Sequence, residues 1–536
     1  MKLNIENLSM KNEWEALNVA LPTFDVTNMI KNTKENPIWV HFGAGNIFRG
    51  FIAALQHKLL NSGKQTSGII AAETFDYGVI NDIYKPFDNL TMNVTLNADA
   101  TTSREIIASI AEGLCANSND AEAMKRFKEI FSNPTLQFIS FTITEKGYAL
   151  RRPDGTLMPV VVADMEKGPQ SATHAMSFVC AMLLERYNTC KAPLAVVSMD
   201  NCSHNGAKLQ AAVLEIATAW KEKGYVEEDF INYLTDESKI TFPWSMIDKI
   251  TPRPADVVAL SLAKDGIENM EAIVTEKGTF IAPFVNAERP QYLVVEDKFP
   301  NGRPALEEAG VYFCERETVN KAETMKVTTC LNPLHTAMSV YGCLLDYTLI
   351  CEEMKDDDIV KLITRLGYTE GLPVVVDPGI LSPKSFIDEV INERLPNPFM
   401  PDDPRRIATD TSQKVSIRFG ETIKSYIREG KDLNTLVSIP LAIAGWLRYL
   451  LGINDKGESF TLSADPMLEM LQEKLTGIEV GNPASYKGQA REILANEIIF
   501  GLDLVKAGLA DTIEAMFVQE LAGPGAVRAT LKKYLA

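Results

Sequence analysis

The sequence predicts an α/β N-terminal unit with a mostly parallel sheet, followed by a mainly α-helical C-terminal unit. Three observations lead there. Apolar strand-like runs alternate with amphipathic helical runs through about residue 250. From about residue 320, helical periodicity dominates, as in "LHTAMSVYGCLLDYTLICEEM" and "LVSIPLAIAGWLRYLLGI". A chain of 536 residues also exceeds what one hydrophobic core usually organises. The expected units are 1–285 and 286–536.

The first elements lie in "PIWVHFGAGNIFRGFIAALQHKLLNSG". A strand at 38–42 enters a glycine turn, and a helix follows with apolar positions at 51, 54, 55, 59 and 60. That helix stops at Ser62–Gly63, and "SGIIAAE" supplies a second strand. Strand, turn, helix and strand in this order open a doubly wound sheet. Further strands are expected in "LQFISFTIT" (136–144) and "PLAVVSM" (193–199), the latter between two helical runs. The Pro-, Gly- and Asn-rich stretch 281–304 should carry the chain from one unit to the next.

Composition narrows the function. A formal net charge of −18 argues against nucleic acid as a partner, since no broad surface could neutralise phosphates. The opening "MKLNIENLSMKNEW" is not a secretory leader, and "IPLAIAGWLRYLLGI" is too short for a membrane span and contains Arg448. Eight scattered cysteines without a CxxC pair read as reduced thiols, so a cytoplasmic location is expected. The five histidines, at 41, 57, 174, 204 and 335, lack metal-ligand spacing, and no metal is expected. What remains is a small-molecule partner, with the chain a monomer or a small homo-oligomer.

In "HFGAGNIF", Gly43 and Gly45 fill the first two places of the dinucleotide fingerprint, while Phe48 replaces the third glycine. Gly43, Gly45, Asn46, Ile47 and Arg49 are therefore the candidate pyrophosphate turn of a Rossmann-type domain. Arg49 in the first helical turn opposes the helix dipole unless it meets an anion. At the end of the second strand, Glu73 is the expected acid for the ribose, with Asp76 as alternative; a solvated loop carboxylate is the ordinary reading of either. An acid there favours NAD over NADP by repelling a 2′-phosphate.

The second constellation lies in "AETMKVTTCLNPLHTAM". Pro333 after Asn332 reads as a new helix capped by Asn332, which places His335 one turn along on the same side. Lys326 could then act as general base, Asn332 as amide donor to the reacting oxygen, His335 as substrate ligand and Glu323 as proton relay. Taken singly, each has a commoner reading: a surface Lys–Glu pair, a helix cap, a core histidine. Their combination in an apolar neighbourhood singles the segment out. Asn201 in "SMDNCSHNG" follows a strand and joins the candidate donors. A nucleophilic scheme is disfavoured, because the neighbouring Cys202 and His204 point apart and no GxSxG elbow exists.

These blocks, with "TITEKGY", "SMIDKITPRP", "VVEDKFPNGRP" and "RIATDTSQK", resemble the polyol-specific long-chain dehydrogenases typified by mannitol dehydrogenase, together with the fructuronate and tagaturonate reductases. The resemblance runs through most of the chain. It implies a metal-independent, NAD(P)-linked enzyme, with Lys326 as general acid/base, Asn201 and Asn332 as oxygen donors, His335 as substrate ligand and Glu323 as relay. It also implies an active site between a dinucleotide domain and a helical one. The Lys326-to-Asn332 interval is one residue longer than in the family, with Cys330 as the insertion, so either the loop bulges or the match of Lys326 to the motif is off by one. The family's "VDR" reads Ile247–Asp248–Lys249. The favoured substrate pair is D-mannonate and D-fructuronate, with Lys414 and Arg418 as cations for the carboxylate. Mannitol with fructose, and tagaturonate, are the alternatives; a non-catalytic dinucleotide sensor is the alternative outside enzymes.

Overall fold

The computed structural model describes residues 1–536. The chain divides into two compact units, Met1–Leu96 with Thr101–Asn320, and Asn97–Ala100 with Lys321–Ala536. The expected division after residue 285 instead cuts the strand Phe284–Glu288. That strand pairs in parallel with Thr91–Leu96, and Tyr292–Glu296 pairs antiparallel with Ser245–Asp248. Prolines and glycines around these short strands gave the segment the look of a linker, whereas its backbone hydrogen bonds tie it to the first unit.

The first unit is built on six parallel strands: β1 (Trp39–Phe42), β2 (Ile69–Glu73), β3 (Ile110–Cys115), β4 (Phe138–Phe141), β5 (Leu194–Ser198) and β6 (Ile240–Thr241). Their order is 3-2-1-4-5-6, the order of the dinucleotide-binding doubly wound sheet. Alternate residues feed two cores. Val40, Phe42, Ile70 and Phe141 point to one face, and Trp39, Ile69, Ala71 and Phe138 to the other. Both faces are therefore buried, which is why these strands read as continuous apolar runs. The order reverses between β1 and β4, and the glycine turn leaves β1 at that point.

The second unit from Lys321 on is helical throughout, as expected. Four of its helical stretches contain a π-turn: Lys326–Cys330, Arg365–Gly371, Val390–Arg394 and Ser416–Gly420. Each such turn holds one residue more than an α-turn, a device concentrated at functional sites. No helix is long and apolar enough to cross a membrane.

Candidate active site

The glycine turn is held by two rigid supports. Gly43 adopts φ +98°, and a Cβ there would lie 2.2 Å from the Thr142 carbonyl oxygen, so only glycine fits. Beneath it runs a buried polar chain. The Trp39 indole N–H donates to Ser140 Oγ (2.7 Å), Ser140 Oγ meets His41 Nδ1 (2.6 Å), His41 Nε2 meets Thr142 Oγ1 (2.8 Å), and Thr142 Oγ1 donates to the Gly43 carbonyl (3.4 Å). Indole can only donate and a carbonyl can only accept, so one direction satisfies every link, with neutral His41 carrying its proton on Nε2. Burial pushes the His41 proton affinity well down, consistent with that form. The imidazole also stacks on Phe48 at 4.1 Å.

Gly45 differs: nothing stands within 4 Å of where its Cβ would project. Helical structure begins at Asn46, so the opening over Gly45 faces the first amides of a helix. Ile47 follows half-buried before the π-turn Phe48–Ile52. This opening and its unshielded helix start fit a pyrophosphate.

Two expectations need correction here. Arg49 does not stand out toward an anion. It is fully buried, its Nη1 donates to the Ala282 carbonyl (2.8 Å) and its Nη2 to Asn46 Oδ1 (2.8 Å), and burial lowers its pKa to about 10. The widened π-turn swings the side chain inward. Glu73 and Asp76 are likewise built into the loop rather than solvated. Glu73 Oε2 accepts the Ala44 N–H (2.9 Å), and its Oε1 accepts the N–H groups of Thr74, Phe75 and Asp76. Asp76 Oδ2 accepts the Thr275 hydroxyl (2.5 Å). Glu73 thus splices the β2 loop to the glycine turn.

Asn201 lies exposed on the bend after β5, on the same carboxyl edge of the sheet. The bend is anchored by Asp200, which accepts the Tyr148 hydroxyl (2.5 Å) and the N–H groups of Ile143 and Thr144. Asn205, which sequence reasoning passed over, donates to the Asp200 carbonyl and to Ser245. The blocks "TITEKGY" and "MDNCSHNG" are therefore two halves of one loop support.

α1 (Arg316–Met325), whose first half belongs to the first unit, runs into the π-turn Lys326–Cys330 and then α2 (Asn332–Leu344) of the second. Lys326 is only 3% exposed. The Leu331 N–H bonds back to the Lys326 carbonyl (3.1 Å), five residues earlier, and the His335 N–H to the Leu331 carbonyl. The helix widens here into a π-turn, which holds one residue more than an α-turn. It also corrects the cap: Leu331 occupies that position without a side-chain hydrogen bond, and Asn332 is the first helical residue. Pro333 has no N–H to give the preceding turn, and the Thr328 carbonyl there accepts the Thr422 hydroxyl (3.3 Å). Glu323 sits half-buried on α1, three residues before Lys326.

His335 is the unsatisfied member. Its Nε2 is buried with no hydrogen-bond partner. Burial, opposed by Asp402 and reinforced by Arg418, Arg406 and Arg394, pushes its pKa to about 4. Arg418 donates to Thr336 Oγ1, next to His335 in sequence, and burial pushes the guanidinium to about 10. Lys414 donates to the Thr409 carbonyl, and its pKa is lowered by burial and by Arg418. The structure thus joins Arg418 and Lys414 electrostatically, and brings Arg394 and Arg406 to the same histidine. Sequence reasoning missed those two. Arg406 opens the "RIATDTSQK" block and was within reach; Arg394 carried no local signal.

A parallel 3-2-1-4-5-6 sheet with an open glycine turn at its switch point defines a dinucleotide-binding protein. Its helical unit adds a buried lysine, followed in sequence by Asn332 and His335 at the start of α2. Residues 37–308 match the family model for the mannitol dehydrogenase Rossmann domain, and residues 318–520 that for the mannitol dehydrogenase C-terminal domain. The chain belongs to the mannitol dehydrogenase family and is an oxidoreductase. It is 51% identical to D-mannonate oxidoreductase of Thermotoga maritima, over 99% of each chain. It is 30% identical to mannitol 2-dehydrogenase of Phaeosphaeria nodorum, over 88% of this chain and 77% of that one. Among solved structures, the Pseudomonas fluorescens mannitol 2-dehydrogenase ternary complex with NAD and D-mannitol matches with a TM-score of 0.69 at 26% identity, over 100% of this chain and 99% of that one.

Proposed function

We propose that the protein interconverts D-mannonate and D-fructuronate by hydride transfer with NAD. The observation that carries the sugar-acid reading is the cation set around His335. Arg418, half-buried and bonded to Thr336 next to His335, acts with Arg394 and the Asp402-paired Arg406 on an imidazole whose Nε2 has no partner, an arrangement suited to a substrate bearing both hydroxyls and a carboxylate. A carboxylate gains from a guanidinium a charge-assisted, bidentate pairing that a neutral polyol cannot make. The name of the Thermotoga maritima relative supports the same reading.

Gly45, Asn46 and Ile47 would hold the dinucleotide pyrophosphate through helix-start amides, with Gly43 setting the turn. The carboxyl groups of Glu73 and Asp76 stand at and just beyond the end of β2, the position of the ribose acid in this fold, which supports NAD over NADP. When bound, the nicotinamide supplies or accepts the hydride. Lys326 takes the carbinol proton in the oxidative direction and returns it to the carbonyl oxygen in the reductive one. Asn332 donates to that oxygen through its side-chain amide, which the corrected cap leaves unused by the helix start. His335, neutral at pH 7, hydrogen-bonds a substrate hydroxyl, and Glu323 passes the proton onward.

The test is a panel of fructuronate, tagaturonate and fructose with NADH and NADPH, followed at the nicotinamide absorbance. Fructuronate with NADH should give the highest kcat/KM. Turnover of fructose alone would overturn the sugar-acid reading and point to mannitol as the alcohol member of the pair.

A further inference from the structure

Beyond Glu73 the β2 loop turns an aromatic ring outward. Phe75 is 67% exposed, more than Tyr225 at 45% or Tyr312 at 37%. The exposure is built in. The N–H groups of Thr74, Phe75 and Asp76 all bond Glu73 Oε1, at 3.0, 2.9 and 3.3 Å, which fixes the backbone and keeps the ring from folding under. The same Glu73 holds the Ala44 amide of the glycine turn, so ring and turn share one scaffold. Across from the loop stands a hairpin of Ile273–Val274 and Phe280–Ile281, tethered by the Thr275 hydroxyl to Asp76. At its tip Lys277 brings Nζ to 5.6 Å from the Phe75 ring centroid.

A large apolar ring held in water on a rigid loop, beside a strand end that binds nucleotides, has a flat partner to gain. We propose that Phe75 is the stacking platform for the adenine ring of the dinucleotide, with the 273–281 hairpin as its flank and Lys277 as the cation over the aromatic pair. The inference rests on reading the glycine turn as the dinucleotide site and assigns the other end of that ligand. Adenine stacks on the exposed ring face through its π surface, which needs no hydrogen-bond readout. Lys277 is a positioning residue, steering the ring through its charge.

The test is calorimetric titration of the full chain with NADH, AMP and nicotinamide mononucleotide, which lacks adenine. Phe75→Ala should weaken NADH and AMP binding by roughly tenfold or more while leaving the mononucleotide unchanged. Phe75→Trp should retain both, and Lys277→Ala should lose a smaller factor. Unchanged NADH and AMP affinity in Phe75→Ala would overturn the proposal, and would leave the patch to a protein partner. Equal weakening of all three ligands, with a lowered Tm, would make Phe75 a structural residue and overturn it too. If the wild-type chain bound no dinucleotide at all, the reading of the glycine turn would itself fail, a result the variants cannot mimic.

Discussion

Two buried histidines hold opposite positions in this molecule. His41, under the glycine turn, has both ring nitrogens bonded and a place in a polar chain that ends on the Gly43 carbonyl. His335, on α2, keeps a buried Nε2 without a partner among three arginines. Burial pushes both well below the ordinary imidazole pKa. The first is finished by the fold and serves as framework; the second is finished by a ligand. Saturation, more than burial or residue type, separates a cradle from a binding group, because an orphaned polar atom costs stability that a substrate can return.

The largest effect belongs beside the unfinished histidine. Lys326→Ala should lower kcat by roughly 10²- to 10⁴-fold, with NADH binding by the first unit unchanged. Stopped-flow reduction of fructuronate measures the first and fluorescence titration the second. A variant with near-normal turnover would remove Lys326 from the chemistry, and the contrast would lose its catalytic half.

Next comes the finished one. His41→Leu strands the Ser140 and Thr142 hydroxyls in a fully buried site, at a cost of about 1–3 kcal/mol for each lost partner. Thermal unfolding should show a clearly lower Tm, accompanied by weaker NADH binding as Thr142, the donor to the Gly43 carbonyl, loses the His41 partner that orients it. His335→Leu should instead leave Tm nearly unchanged or raised, since it removes an unsatisfied atom, while KM for fructuronate rises. The reverse pattern would mean that hydrogen-bond saturation does not sort the two.

How much of this could be read from the residues depends on range. The strand–turn–helix–strand opening and the need for Gly43 were legible because they are local: alternating apolar positions and one left-handed turn. The Lys326 segment was legible through its unusual chemistry, but its geometry was not. Periodicity cannot distinguish a proline-interrupted helix from one that widens into a π-turn, since the difference lies in which carbonyl accepts each N–H. Glu73 looked like a free loop acid because its partners are backbone amides, one of them on another loop. Arg394 and Arg406 converge on His335 by tertiary packing, so no spacing rule announces them. The strands at 284–296 were hidden because their pairing partners lie far off in the chain.

A smaller effect sharpens the substrate side. Arg418→Met keeps the stem and removes the charge that faces His335 and Thr336. KM for fructuronate should rise about tenfold or more, while any activity with fructose should change little, because only the former carries a carboxylate. Equal losses on both substrates would mean that Arg418 shapes the pocket rather than reading the charge.

The smallest effect is a pH slope. His335 in the folded chain titrates at about 4, against an ordinary value of 6.5. The unfolded imidazole therefore takes up a proton first as pH falls, so the fold is undisturbed by this group above pH 6.5 and loses stability between 6.5 and 4. The loss is on the order of 2 kcal/mol by pH ~4.5. Other buried groups titrate in the same range, His57 among them at about 4, so the measurement must be a difference. Denaturant unfolding of wild type and His335→Leu at pH ~7.5 and ~4.5 isolates it: the variant should gain on the wild type as the solution is acidified. A ligand that donates to Nε2 should hold the neutral imidazole still more firmly and extend the wild-type loss to lower pH, whereas His41, whose nitrogens are already bonded, should give the same profile with substrate present or absent.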